Sequence, residues 1–236
     1  MIAGDTDYAL SRWQARSADR INAAQWRQVS SARSVAGVLE LLRAGGGARW
    51  VQGLGDSSEP HRLEAHLRAR YRAQIEELAG WADPAWQAAL RWCSRLVDLP
   101  ALRQARLAGS NAETTDWNAA DLEAFAAVGG ERASAVDDVW LAQLRQRLPH
   151  LDADDRAELE LLLQIVADHR RRFSTLPAGN GWPEREDLQR RLNTRRRRNG
   201  LSPVQLLTAV ALLWLEHERV RGELLRLVAL PMEPRS

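Results

Sequence analysis

Residues 60–79 read PHRLEAHLRARYRAQIEELA. Leu63, Leu67, Tyr71, Ile75 and Leu78 recur in this stretch at spacings of three and four, which places them on one face of an α-helix. Arg, Glu and His fill the other positions, so the opposite face is polar. The same period returns between Ala153 and Phe173, where Leu159, Leu162, Leu163, Val166 and Phe173 form a second stripe. Residues 204–215, VQLLTAVALLWL, are apolar nearly all round, which marks a helix buried at the centre of its fold. Beyond it the chain turns ionic with Glu216, His217, Glu218, Arg219, Arg221 and Glu223. Leu207, Val210, Trp214, then His217 or Glu218, then Arg221 share one face, so charges continue a buried seam and require partners there.

Composition agrees with helices throughout. The 236 residues are 45% hydrophobic and 27% charged, with only 15 Gly and 9 Pro, which is globular and not low-complexity material. Ala, Leu, Arg, Glu and Gln dominate, an alphabet of helix formers. Helix starts are written at Asp83-Pro84, Ser202-Pro203, Trp182-Pro183 and Ser58-Glu59-Pro60, and Asn199-Gly200 is a stop. Acidic Asp152, Asp154 and Asp155 open one helix, and His169, Arg170, Arg171 and Arg172 close it, both in accord with the helix dipole.

We expect helices at Asp7–Ile21, Ala23–Ser31, Val35–Ala44, Pro60–Ala79, Pro84–Val97, Pro100–Ala108, Ala119–Val128, Val136–Leu148, Ala153–Phe173, Pro183–Asn199 and Pro203–Val228. Gly45-Gly46-Gly47, Gly109–Asp116 and Gly129-Gly130 are the expected flexible breaks. The fold class is all-α: a multi-helix chain of pseudo-repeated helical lobes with no sheet. Residues 1–110 form an N-terminal lobe and 117–230 a C-terminal lobe, with the boundary near 109–116 and a single packed domain as the alternative. A weak echo links Asp83-Pro84, Trp92 and Asp98 with Ser202-Pro203, Trp214 and Glu218.

Several chemistries are excluded. All 33 basic residues are Arg, so no P-loop lysine, Schiff base or lysine general base exists here; a GC-rich bacterial genome accounts for the bias. The lone Cys93 excludes intramolecular disulfides and multi-cysteine zinc sites, fits a reducing compartment, and reads as a small buried hydrophobe. The five histidines, His61, His66, His150, His169 and His217, contain no HExxH pair and no i, i+4 metal pair. There is no GxSxG elbow, and neither Gly45-Gly46-Gly47 nor Gly53-x-Gly55 is a nucleotide-binding loop. No catalytic residue, cofactor or metal is expected. The opening residues MIAGDTDYALSRW have no signal-peptide pattern, and the longest apolar run is shorter than the roughly 20 residues of a membrane span. We therefore expect a cytoplasmic protein without a transmembrane segment.

Arg195, Arg196, Arg197 and Arg198, with Arg190 and Arg191, make the densest charge cluster. A solvated face or an acidic protein partner is the favoured explanation, because cations at a helix C-terminus already complement the dipole. Nucleic acid is not favoured, since no aromatic platform lies nearby in sequence. The ten tryptophans are scattered, which suits core and inter-helix wedges.

The stretch from His61 to Gly109, HRLEAHLRARYRAQIEELAGWADPAWQAALRWCSRLVDLPALRQARLAG, resembles the C subunit of bacterial and archaeal V-type ATPases, which is the d subunit of the eukaryotic enzyme. The likeness lies in an Arg-rich helix, an apolar helix ending in Asp98, and a short helix with Leu102 and Gly109 at fixed spacing. Residues 206–230, LLTAVALLWLEHERVRGELLRLVAL, are similar to the family's closing helix, with Glu218, Arg219 or Arg221, then Leu224 and Leu225. The resemblance implies an all-helical, funnel-shaped, non-catalytic adaptor. It would sit on the membrane rotor ring and receive the central rotor stalk, peripheral to the membrane on its cytoplasmic face. Family members have three similar lobes and are usually longer than this chain. Asp98, Glu218, Arg219 and Arg221 are the expected structural ion-pair residues, with Glu218 paired either to Arg221 or to an arginine of a neighbouring helix. Arg195–Arg198 are the expected interaction residues. Two rival expectations are a stand-alone helical scaffold or regulatory protein that binds another protein, and a nucleic-acid binder using residues 190–198.

Overall fold

The structure, a computed structural model, describes residues 5–56, 59–107, 123, 125, 133–176, 181–200 and 202–229. These residues form α-helices and one 3-10 turn and contain no strand, so the chain is all-α as its composition requires. The expected helix at Ala119–Val128 and the glycine breaks at Gly109–Asp116 and Gly129-Gly130 lie outside the described residues, except for Glu123 and Phe125.

Local chemistry sets each helix start. Asp5 caps α1 (Thr6–Ala18), its carboxylate accepting from the Asp7 N–H at 3.1 Å. Asn22 and Gln25 form a reciprocal capping box at the start of α2 (Ala23–Ser31). Ser34 caps α3 (Val35–Arg43) through the Gly37 N–H. A one-turn helix, α4 (Ala48–Val51), precedes α5 (Pro60–Trp81). Asp83 and Pro84 open α6 (Pro84–Cys93) as capping residue and first helical position. Asp152 caps α9 (Ala153–Ser174), which follows α8 (Ala133–Arg147).

Several helix boundaries differ from expectation, among them three that bear on the core. The helix expected to reach Val97 ends at Cys93 and tightens into a 3-10 turn, Ser94–Asp98, which leads directly into α7 (Leu99–Leu107). The Ser94 hydroxyl donates back to the Arg91 carbonyl at 2.6 Å, while Asp98 turns inward to Arg72. Helix α1 stops at Ala18 and not at Ile21, because Arg20 is drawn into the core by a buried carboxylate. The closing helix, α11 (Gln205–Ala229), begins after a turn at Ser202–Val204.

The five stripe residues of α5 are all buried, and against them lies α11. Helix α11 also packs on α1, α3, α6 and α10 (Gly181–Arg198), so it is the axis of the core. Its first half is buried on nearly every side, as its unbroken apolar run demands. Helices α9 and α10 pair with each other, and α8 packs on α6 and α7. Trp50, Tyr71, Leu39, Leu42 and Leu90 are among the fully buried side chains that join these helices into one core.

The Gly45-Gly46-Gly47 segment is a close-packed elbow and not the expected flexible break. A methyl group on Gly46 would lie 1.7 Å from the Asp19 carbonyl oxygen, and one on Gly47 would lie 2.6 Å from Leu42 Cδ2. Only glycine lets the two backbones approach this closely. Gly46→Ala is expected to lower stability by about 3 kcal/mol in urea unfolding, since the obstructing atom is backbone. A loss below about 1 kcal/mol would show that the elbow is free to shift.

Candidate functional site

The ionic half of α11 supplies a dense set of charge interactions among the described residues. Glu216 follows Leu212 and Leu213 on the helix face that meets the N-terminal helices, and only 8% of its side chain is exposed. Its carboxylate accepts from Arg49 Nη2 at 2.7 and 2.9 Å and from Trp50 Nε1 at 2.8 Å, and it lies 3.0 Å from Arg20 Nε. Burial lowers the Arg20 pKa to about 10; the Glu216 charge opposes that shift, and the nearby Arg49 and Arg196 add to it.

One and two turns further on, the helix makes more such attachments. Arg221 Nε donates to Glu64 of α5 at 2.7 Å, and this hydrogen bond raises its pKa. Glu223 accepts from the Ser30 hydroxyl and from Arg226 Nε, while Arg226 also donates to the Ser30 and Ala32 carbonyls at 3.0 and 2.9 Å. The end of α11 is thereby fastened to the C-terminus of α2. His217 is almost fully buried, between the rings of Trp50 and Tyr71, whose centroids lie 5.8 and 5.5 Å away.

The four expected ion-pair residues all make ionic contacts, and of the two partners expected for Glu218 the arginine of a neighbouring helix is the nearer. Asp98 is buried and accepts from Arg72 Nη2 at 2.7 Å, joining the 3-10 turn to α5. Arg219 meets Glu186 at 3.1 Å and stacks on Trp26 and Trp182. Glu218 is 3.4 Å from Arg185 and 4.0 Å from Arg221, so Arg185 is its nearer arginine and Glu64 is the main partner of Arg221. Burial pushes the Glu218 carboxyl upward, but the hydrogen bond and charge of His217, with Arg221 and Arg185, bring its pKa below the usual value.

The Arg195–Arg198 cluster divides between two roles. Arg195 pairs with buried Glu158, which also accepts from Asn199 and Gln205. Arg196 stacks over Trp13 at 5.1 Å and donates to the Ser17 hydroxyl at 3.2 Å. Arg197 and Arg198 are exposed. Beside this cluster, between α9 and α10, runs a groove of about 370 Å³ lined by Asp168, Arg171, Arg172, Asp187 and Arg191. Arg191 lies 3.6 Å from Asp168 and Arg172 lies 3.1 Å from Asp187, so each acidic residue is bridged across the two helices.

Several of the tryptophans stack with arginines, while Trp50 and Trp86 are packed in the core. Arg12 and Arg16 lie over Trp81, Arg20 and Arg196 over Trp13, Arg185 over Trp182 and Phe173, and Arg147 over Trp92. Cys93 is buried, and burial raises its thiol pKa to about 12, so it stays protonated at neutral pH. No group of three or more His, Cys, Asp or Glu side chains among the described residues could hold a metal ion. No described helix is long and apolar enough to cross a membrane.

Arg20, Arg49 and Trp50 as partners of Glu216, Glu158 as an inter-helix acceptor, and Asp137 of α8, which accepts from Arg103 of α7 and Arg170 of α9, are not evident from sequence. The one signal for Glu216 is its phase, three and four residues beyond buried Leu213 and Leu212. Comparison of the chain with protein-family models, curated proteins and solved structures gives no match.

Double-mutant cycles on Arg221 separate the two carboxylates. The Glu64–Arg221 coupling is expected at about 0.5–1 kcal/mol for a partly exposed pair, and the Glu218–Arg221 coupling below about 0.3 kcal/mol. The reverse order would assign Arg221 to Glu218.

Proposed function

We propose that this chain is a non-catalytic helical adaptor of the same kind as the C or d subunit of V-type ATPases, linking a central rotor stalk to a membrane ion-translocating ring. The observation that carries this reading is the use made of the residues behind the resemblance. Asp98 and Glu218, with Arg219 and Arg221, are spent on inter-helix attachments, and Leu102 is buried in the core. An adaptor that transmits torque needs helices fixed in register, and ionic groups paired across helices supply such register. The closing helix, attached by its charges to α2, α4, α5 and α10, is suited to that load.

A second reading, a stand-alone protein-binding scaffold, draws on the α9–α10 groove. Arg171 in the groove, exposed at 79%, and Arg190, which pairs with the groove residue Asp187 and is exposed at 69%, have surface pairings of small energetic value and could exchange them for the carboxylates of a partner. Asp168 and Asp187 within the groove repel phosphate backbones, which weighs against nucleic acid.

Isolation of the tagged full chain from its own cells, after mild detergent extraction, tests the first reading. Rotor-ring and central-stalk subunits should co-purify in fixed ratio and be lost together when the ring is dissociated. Isolation with a defined soluble partner and no ATPase component would overturn the adaptor assignment and leave the scaffold reading.

A further inference from the structure

Where α1, α5 and α11 meet, positive charge exceeds negative. Arg20 and Arg49 share the single carboxylate of Glu216. Arg16 is matched by Glu77, while Arg196 joins Arg20 on the ring of Trp13. Four guanidinium groups thus face two carboxylates. Two of the four, Arg20 and Arg49, have side chains only 15% and 12% exposed. A buried cation in excess is costly unless a counter-charge meets it.

A small cavity of about 10 Å³ lies in this corner, walled by Arg20, Arg49, Gln74 and the apolar Leu78, Trp81 and Leu213. It has room for one water-sized species, too little for sulfate, phosphate or a carboxylate. Arg20 Nη2 and Arg49 Nε are buried and have no hydrogen-bond partner within the protein, and neither has either amide atom of Gln74, a residue 4% exposed. Three N–H-bearing groups with unused donors therefore belong to residues that line one small pocket, whose outer rim is Arg16 and Ser17. Glu216 already accepts from Arg49 and Trp50 and pairs with Arg20, so its carboxylate is committed elsewhere.

We propose that this cavity binds one monoatomic anion of chloride size, held by N–H groups of Arg20, Arg49 and Gln74. The ion supplies the counter-charge that Glu216 alone does not. The apolar part of the wall, Leu78, Trp81 and Leu213, lowers the local dielectric and strengthens its attraction to the two guanidinium groups. A water molecule would satisfy the same donors, and the Gln74 oxygen besides, but would leave the charge excess unmatched; it is the rival occupant.

The test compares the full-length protein in chloride, bromide and gluconate at constant ionic strength, so that general screening is equal in all arms. Chloride titrated against gluconate should raise Tm in a saturable way, by about 2–4 °C. Crystals soaked in bromide should give one anomalous peak bounded by Arg20, Arg49 and Gln74. Gln74→Leu, which removes the amide donor and leaves an apolar wall, should keep the helical fold and abolish the chloride dependence. Equal Tm in chloride and gluconate, with a water and no bromide at the site, would overturn the proposal. A chloride effect that survives Gln74→Leu unchanged would place the ion elsewhere and overturn it equally.

Discussion

One buried carboxylate organises the middle of this protein. Glu216 is presented by the central helix to Arg20, Arg49 and Trp50, three groups from two separate parts of the N-terminal region. Because a desolvated carboxylate and desolvated guanidinium groups are tolerated only together, each fixes the position of the others. The consequences run outward. Arg20 can reach Glu216 only if α1 ends at Ala18. Arg49 and Trp50 can reach it only if the chain turns sharply after α3, and the three glycines, pressed against Asp19, Gln25 and Leu42, make that turn. The one-turn helix α4 is what remains when two consecutive side chains must point at the same acceptor.

The rest of the molecule extends the same chemistry. With arginine as the sole basic side chain apart from histidine, every inter-helix cation has a planar head that can bond a carboxylate and lie on an indole. Arg196 and Arg20 over Trp13, and Arg219 over Trp26 and Trp182, pair the abundance of tryptophan with that of arginine. Such contacts are directional, unlike the apolar packing of the leucine stripes, and together with the Arg221–Glu64 and Asp98–Arg72 attachments they set helix register. Fixed register is the property an adaptor between two moving assemblies requires, and for this reason the fold and the proposed function fit one another.

The parts of this fold governed by local periodicity were legible in the sequence. The stripe from Leu63 to Leu78 is buried at all five positions, and Asp83 and Asp152 stand at helix starts that follow from their chemistry. The all-apolar run of α11 gave its central position. What depended on contacts distant in sequence was not legible. The glycine elbow looks like a hinge until the carbonyl of Asp19 is known to press on it. Glu218 and Arg221 look like an i, i+3 pair, yet Glu64, 157 residues away in sequence, offers Arg221 the shorter contact. The Arg195–Arg198 run reads as one surface cluster, although Arg195 is turned to a carboxylate on α9 and Arg196 to a ring on α1. Helical spacing alone cannot foresee which of four consecutive arginines meets a neighbouring helix.

The most direct measurement is urea unfolding of Glu216→Gln followed by amide hydrogen exchange. The substitution keeps the shape and one acceptor but leaves two buried guanidinium groups without their counter-charge. A loss of about 3–5 kcal/mol is predicted, with protection falling together in α11, α4 and the end of α1. A loss below about 1 kcal/mol, with exchange altered only in the turn around residue 216, would contradict the central place given to this carboxylate.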